Sequence, residues 1–242
     1  MKRDSKLAPI LAIVGGAIVL VVALVVASQV GNGSKKSGSS EVQIDSIAEM
    51  LDGIPQQGIE LGNSKAKLTM VEFSDPQCPF CADWARGTFP SLVQSYVRSG
   101  KLRIEYRGLD FLDKQFGTTD SEHLLRVAQA AGFQNKLWNV VELEFENQGA
   151  EGSGWATDPL VNGILGAVKG LDAGKVLADA DTNKVVPMID AAQKLAQAKV
   201  GKGLSTPTFL LMQTGSTKVE KTIVGAQPLS TFTDAIDALL KK

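Results

Sequence analysis

Apolar residues near the middle of the first hundred positions fall into two periods. Ile44, Ile47, Met50, Leu51 and Ile54 recur at helical spacing and Gly53 stands near their end, which predicts a short amphipathic helix over 42–53. "KLTMVEF" (67–73) is a compact β-rich run between turn signals and predicts a buried strand that runs straight into Ser74-Asp75-Pro76. The positions after Cys78 turn helical in two pieces, "CADWARG" and "SLVQSYVRSG", with a break or kink expected at Pro90. "KLRIEYR" (101–107) predicts a second strand. Strand, helix, strand makes a βαβ unit, whose parallel strands call for a right-handed crossover.

From about 110 to 200 the pattern is helical. Thr119 to Glu122 has the form of a capping box and opens a helix that ends at Gly132. "QNKLWNVVELEFEN" predicts a second, with Trp138 and Phe145 in the core and Glu142, Glu144 and Glu146 on an exposed face. "LVNGILGAVKG" and "VVPMIDAAQKLAQAKV" predict two more. β-character returns in 206–213 and 218–225 around the Gly-containing loop 214–217. A closing amphipathic helix carries Phe232, Ile236, Leu239 and Leu240 on one side.

The N-terminus follows another rule. Lys2, Arg3 and Lys6 precede an unbroken apolar run from Ile10 to Ala27. At about 1.5 Å per residue the run reaches about 27 Å, close to the hydrocarbon thickness of a bilayer. It is longer than the apolar stretch of a secretory signal. The expectation is a cytoplasmic N-terminus over 1–9, a single transmembrane signal anchor over 10–30 and a Gly/Ser-rich flexible linker over 31–40. The domain over 41–242 then lies on the extracytoplasmic side of the cytoplasmic membrane. Val25-Val26-Ala27 before Ser28 leaves cleavage open.

Charge excludes little except nucleic acid: 25 basic side chains stand against 26 acidic ones, with no basic field. The two cysteines are more informative. Cys78 and Cys81 are the only ones in the chain. Zinc would need more ligands than two cysteines and the single histidine, His123, provide. A structural disulfide over so short a loop restrains the unfolded chain little. Thiol–disulfide exchange remains, and outside the cytoplasm such bonds form and persist. Cys78 stands where a strand ends and a helix begins, so first-turn N–H groups and the positive end of the helix dipole face its sulfur. Pro79 suits the first helical turn. A thiolate is favoured there, and thiolate is the attacking form. Cys81, one turn further in, is expected to be more buried and to resolve the mixed disulfide.

"VEFSDPQCPFC" followed far downstream by "STPTF" resembles the DsbA-like family of thioredoxin-fold oxidoreductases, specifically its membrane-anchored extracytoplasmic type. The resemblance runs from about Leu61 to the C-terminus. It implies an α/β thioredoxin fold with an all-helical insertion over about 110–200, and no cofactor beyond the redox-active disulfide Cys78–Cys81. Pro207 would be a cis-proline facing the site, with Thr206 offering backbone groups to an extended substrate; Pro79 and Phe80 complete the expected substrate contacts. Glu72, six residues before Cys78, matches a buried acid that moves the proton of Cys81. Partners would be exported proteins with reduced cysteines and, for recycling, a membrane quinone-linked oxidase resembling DsbB or vitamin K epoxide reductase. Two departures stand out. Phe80 replaces the histidine of the best-known oxidants, and Gln77 replaces the Trp of thioredoxins proper. An oxidase is expected; a reductase or isomerase, and a non-catalytic chaperone or binding module, remain open.

Other candidates are weaker. "EGSGW" lacks the spacing of a nucleophile elbow, and His123 is expected on a helix surface. "DADTN" (179–183) has the oxygen pattern of a calcium loop but Lys184 where glycine is needed. "GKGLST" fits no P-loop frame.

Overall fold

The computed structural model describes residues 45–242; the expected N-terminus over 1–9, anchor over 10–30 and linker over 31–40 lie outside the described residues. Among the described residues no helix is long and apolar enough to cross a membrane.

The chain opens with helix α1 over 45–51 and two minimal strands, β1 (Gln56–Gln57) and β2 (Glu60–Leu61), which pair as a hairpin. Then come β3 (Leu68–Ser74), α2 (Pro79–Gly87), α3 (Phe89–Leu92) with a π-helical turn over Val93–Val97, and β4 (Leu102–Gly108). Six helices follow: α4 (Phe111–Phe116), α5 (Asp120–Gly132), α6 (Leu137–Glu146), α7 (Asp158–Ala167), α8 (Ala173–Ala180) and α9 (Val186–Lys199). The hairpin β5 (Thr208–Gln213) and β6 (Lys221–Val224) and helix α10 (Leu229–Leu240) complete it. The sheet order is β1-β2-β4-β3-β5-β6, with β3 and β4 parallel and every other neighbour antiparallel. This is the expected thioredoxin-like core interrupted by helices. The β1–β2 hairpin, α4 and α8 were not expected. The helix break comes at Thr88, with Pro90 in the first turn of α3, where its missing N–H costs nothing.

Strand alternation decides what faces the site. Thr69, Val71 and Phe73 share one face of β3, and Val71 and Phe73 pack there with Leu109, Leu210 and, from α9, Ala192 and Ala196. Leu68, Met70, Glu72 and Ser74 share the other face, and Leu68 and Met70 join the larger core. That core is aromatic. Trp84 meets Phe209 with ring centres 4.6 Å apart, Phe89 stacks on Trp138 at 5.3 Å, and Tyr106 meets Trp138 edge-on at 5.9 Å. Ser74 registers with Gly108 of β4. A Cβ at Gly108 would come within 2.0 Å of Leu125 Cδ2 and 3.0 Å of Tyr106 Cε1, so bare backbone there leaves room for both side chains in the core.

Two local expectations are corrected. The capping box does not form: Thr119 makes no side-chain cap bond, and the Asp113 carboxylate accepts instead from Ser121 N at 3.0 Å and Glu122 N at 2.8 Å. Glu142 and Glu144 are buried, with 5% and 2% of their surface exposed, rather than on a solvent face. Helix α6 packs against α5, α2 and α7 together, which covers both of its sides. His123 is half-buried, its Nδ1 3.0 Å from the Ala156 carbonyl oxygen.

Candidate active site

β3 ends at Ser74 and a short turn delivers Cys78 to the N-cap of α2, with Pro79 in the first helical turn. Cys78 is buried except for a sliver of its surface, Cys81 is fully buried, and both cysteines are free. Pro79 and Phe80 are exposed; Phe80 presents 61% of its surface beside the cysteine turn. The Thr206–Pro207 peptide bond is cis, as the resemblance implied. It lies directly before β5, and the Thr206 carbonyl accepts from the Cys78 thiol at 3.4 Å. The Pro207 carbonyl is taken by Gly225 N at 2.7 Å, which ties this loop to the end of β6. Cys78, Cys81, Pro79, Phe80, Thr206 and Pro207 therefore meet at one end of the sheet.

The two thiols are electrostatically unlike. Cys78 is lowered to about 6, first by the Cys81 thiol, which hydrogen-bonds the anionic sulfur. Burial opposes this, while Thr206 and the backbone N–H groups of Cys81 and Phe80 add to it. Those two N–H groups belong to the first turn of α2, the helix-terminus effect expected from the sequence. Cys81 is pushed well above an ordinary thiol, first by burial and then by the neighbouring Cys78. The outer sulfur thus holds the charge and the inner one the proton.

Glu72 is on the same face of β3 as Ser74 and is buried, with 1% of its surface exposed. Burial pushes its carboxyl up to about 8, against the opposing pull of the Ser74 hydroxyl. Its Oε2 has no hydrogen-bond partner. Asp75 is raised to about 7, again by burial, although Ser121 Oγ (2.6 Å), Gln77 N (3.0 Å) and Leu112 N (3.2 Å) all donate to it.

Gln77 and Gln148 carry a role that sequence reading missed. Gln77 Nε2 donates to Asp113 Oδ1 at 2.7 Å and to Ser121 Oγ at 2.9 Å, and its Oε1 accepts from Gly152 N at 2.9 Å. Gln148 Nε2 donates to the carbonyls of Pro76 (2.7 Å) and Cys78 (3.0 Å). The helical insertion therefore grips the cysteine turn through both glutamines. The only sequence signal was negative, a glutamine where thioredoxins proper carry Trp. Among the described residues no group of His, Cys, Asp and Glu could hold a metal ion.

The sequence profile of the thioredoxin family matches residues 55–238. A probable disulfide bond formation protein D of Bacillus cereus is 28% identical over 167 residues, 68% of this chain and 69% of that protein. Its counterpart in Bacillus anthracis is 24% identical over 221 residues, 86% of this chain and 94% of that one. Among solved structures, oxidised BdbD from Bacillus subtilis superposes with a TM-score of 0.64 at 19% identity, covering 78% of this chain and 98% of that one. Alpha-DsbA1 of Wolbachia pipientis superposes with a TM-score of 0.61 at 21% identity, covering 79% of this chain and 92% of that one.

Proposed function

From the premise that this chain belongs to the thioredoxin family and is a DsbA-like protein thiol:disulfide oxidoreductase, we propose that it works as an oxidase, passing the Cys78–Cys81 disulfide to exported proteins. A substrate thiolate attacks Cys78 of the disulfide, forming a mixed disulfide and releasing Cys81 as a thiolate that takes up a proton from Glu72. The substrate's second thiolate then attacks its own sulfur in the mixed disulfide, and Cys78 departs as a thiolate. The observation that carries this direction is the contrast between the thiols: a Cys78 lowered to about 6 is a good leaving group. Stabilising the thiolate stabilises the reduced enzyme and makes its disulfide the better oxidant. Phe80 and Pro79 give the incoming chain an apolar surface beside the sulfur. The Thr206–Pro207 loop, whose Thr206 carbonyl meets the Cys78 sulfur at 3.4 Å, takes an extended segment in the manner of an added strand.

The same reading places the domain outside the cytoplasmic membrane, held by the 10–30 anchor through the 31–40 linker. Substrates are then exported proteins with reduced cysteines, and electrons leave to a membrane quinone-linked oxidase of the DsbB or vitamin K epoxide reductase type. Protease added to intact cells is expected to remove the domain while leaving a cytoplasmic marker untouched.

The direction is tested by mixing the oxidised protein with a reduced dithiol peptide and, separately, the reduced protein with the oxidised peptide. An oxidase converts the first mixture rapidly and nearly stoichiometrically and leaves the second largely unreacted. The reverse pattern identifies a reductase, and inertness in both mixtures a binding module.

A further inference from the structure

The proton needed by Cys81 starts on Glu72, yet no hydrogen bond joins the two groups, and Glu72 Oε2 has no partner at all. The charges of both groups reach the buried Tyr106 hydroxyl as well, but Ser74 is the hydroxyl that acts on each of them at close range. Ser74 is two residues beyond Glu72 on β3, so strand alternation puts both side chains on the face that looks toward α2 and Cys81. Ser74 is fully buried and, like Glu72 Oε2, its Oγ makes no hydrogen bond of normal geometry. It is nonetheless near enough to both the Glu72 carboxyl and the Cys81 thiol to favour the anionic form of each. Buried hydroxyls are ordinarily partnered, and one left unpartnered between an acid and a thiol calls for a reason.

We infer that Ser74 is the bridge through which protons pass between the Glu72 carboxyl and the Cys81 sulfur. When substrate attack breaks the Cys78–Cys81 bond, the electron pair stays on Cys81 Sγ. Ser74 Oγ gives its proton to that sulfur and accepts the Glu72 carboxyl proton in return. Glu72 is left as a carboxylate and regains its proton from water. When Cys81 must attack a mixed disulfide, the same transfers run backwards, and Cys81 is deprotonated through Ser74. The free rotor of a serine hydroxyl lets it donate to one side while accepting from the other. The sequence alone offers no hint of this role, since a serine at a strand end reads as an ordinary turn residue.

The inference rests on the thiol-exchange chemistry proposed above, and the test keeps the two apart. Single-turnover oxidation of a dithiol peptide is measured for the wild type, Ser74→Ala, Glu72→Gln and the double variant. Ser74→Ala is expected to slow the exchange about tenfold or more while leaving its equilibrium constant within about twofold of the wild type. The double variant is expected to be no slower than Glu72→Gln alone, because both residues serve one path. Slowing that multiplies in the double variant, or a Ser74→Ala rate within about twofold of the wild type, overturns the bridge. If Ser74→Ala folds poorly, the wild type decides the matter: its rate is followed across mixtures of light and heavy water. Two protons in flight bend that plot, and a straight line contradicts the relay. A wild type that exchanges no thiols would instead sink the proposed function.

Discussion

Replacing Cys81 with serine is expected to abolish turnover and to leave Cys78 trapped in mixed disulfides with its partners. In the wild type, a mixed disulfide at Cys78 has two exits: attack by the substrate's second thiol, or attack by Cys81 from below. Cys81 is fully buried one turn inside α2, directly behind Cys78, and its loss closes the internal exit and leaves release to a thiol of the partner itself. The serine hydroxyl is no nucleophile toward sulfur at neutral pH, and it cannot form the disulfide that makes the protein an oxidant. Cys81→Ser expressed in cells should therefore collect adducts, formed when the Cys78 thiolate attacks a disulfide of the recycling oxidase or of an already oxidised protein and expels one of its sulfurs as a thiolate, that run as higher bands on non-reducing gels and collapse with reductant. Cys78→Ser should collect none, and the double variant should match it. Catalytic oxidation of a dithiol peptide should fall below detection in all three. Adducts that form through Cys81 in the Cys78→Ser protein would reverse the assignment of the two cysteines.

The second large effect concerns the charge on Cys78. With its thiol lowered to about 6, about nine-tenths of the reduced protein carries a thiolate at pH 7, against about 1% for a thiol near 9. Alkylation by iodoacetamide in the reduced protein should accordingly rise with pH around a midpoint near 6 and be flat above about 7.5. Cys81, raised by burial and by its charged neighbour, should stay unmodified throughout that range. The same shift affects stability with a definite sign. An acid whose folded value lies below its unfolded one adds stability at high pH, which is lost as pH falls through the folded value. The Cys78 contribution to the reduced protein should therefore be present near pH 9 and fade towards pH 6. The oxidised protein, which lacks the ionisable thiol, should not show that contribution. Urea midpoints of the two redox forms at about pH 9 and about pH 6 check this. A Cys78 that titrates near 9 would remove the physical basis of the oxidising direction.

Much of the site was legible because its signals are local. β3, the cysteine turn and the start of α2 are consecutive, so an apolar β-run ending in Asp-Pro and followed by Cys-Pro states the strand-to-helix junction within a few residues. The buried carboxyl of Glu72 and the Thr206–Pro207 loop needed the family resemblance, since neither composition nor periodicity distinguishes a buried glutamate from an exposed one. What was illegible is long-range. Gln77 bonds to Asp113, Ser121 and Gly152, and Gln148 bonds back to Pro76 and Cys78, across separations of 36 to 75 residues. No local pattern encodes such contacts. The β1 and β2 strands are two residues each, too short to show a period. Glu142 and Glu144 misled because charge on a helix ordinarily marks the solvent side. Val140, Val141, Leu143 and Phe145, spread around the same helix, were the available sign that α6 is enclosed on both sides.

The central claim is that the Cys78–Cys81 disulfide oxidises its partners, and its most direct test is the reduction potential measured by equilibration with glutathione. Thioredoxin, with a nucleophile near pKa 7, stands at about −270 mV, and DsbA, with one near 3.5, at about −120 mV. A Cys78 at about 6 falls between them, so the couple is expected between about −270 mV and about −120 mV. A value inside that interval supports an oxidase whose driving force is the stabilised Cys78 thiolate. A value at or below that of thioredoxin would mean that the pair gives electrons rather than taking them, and would contradict the account.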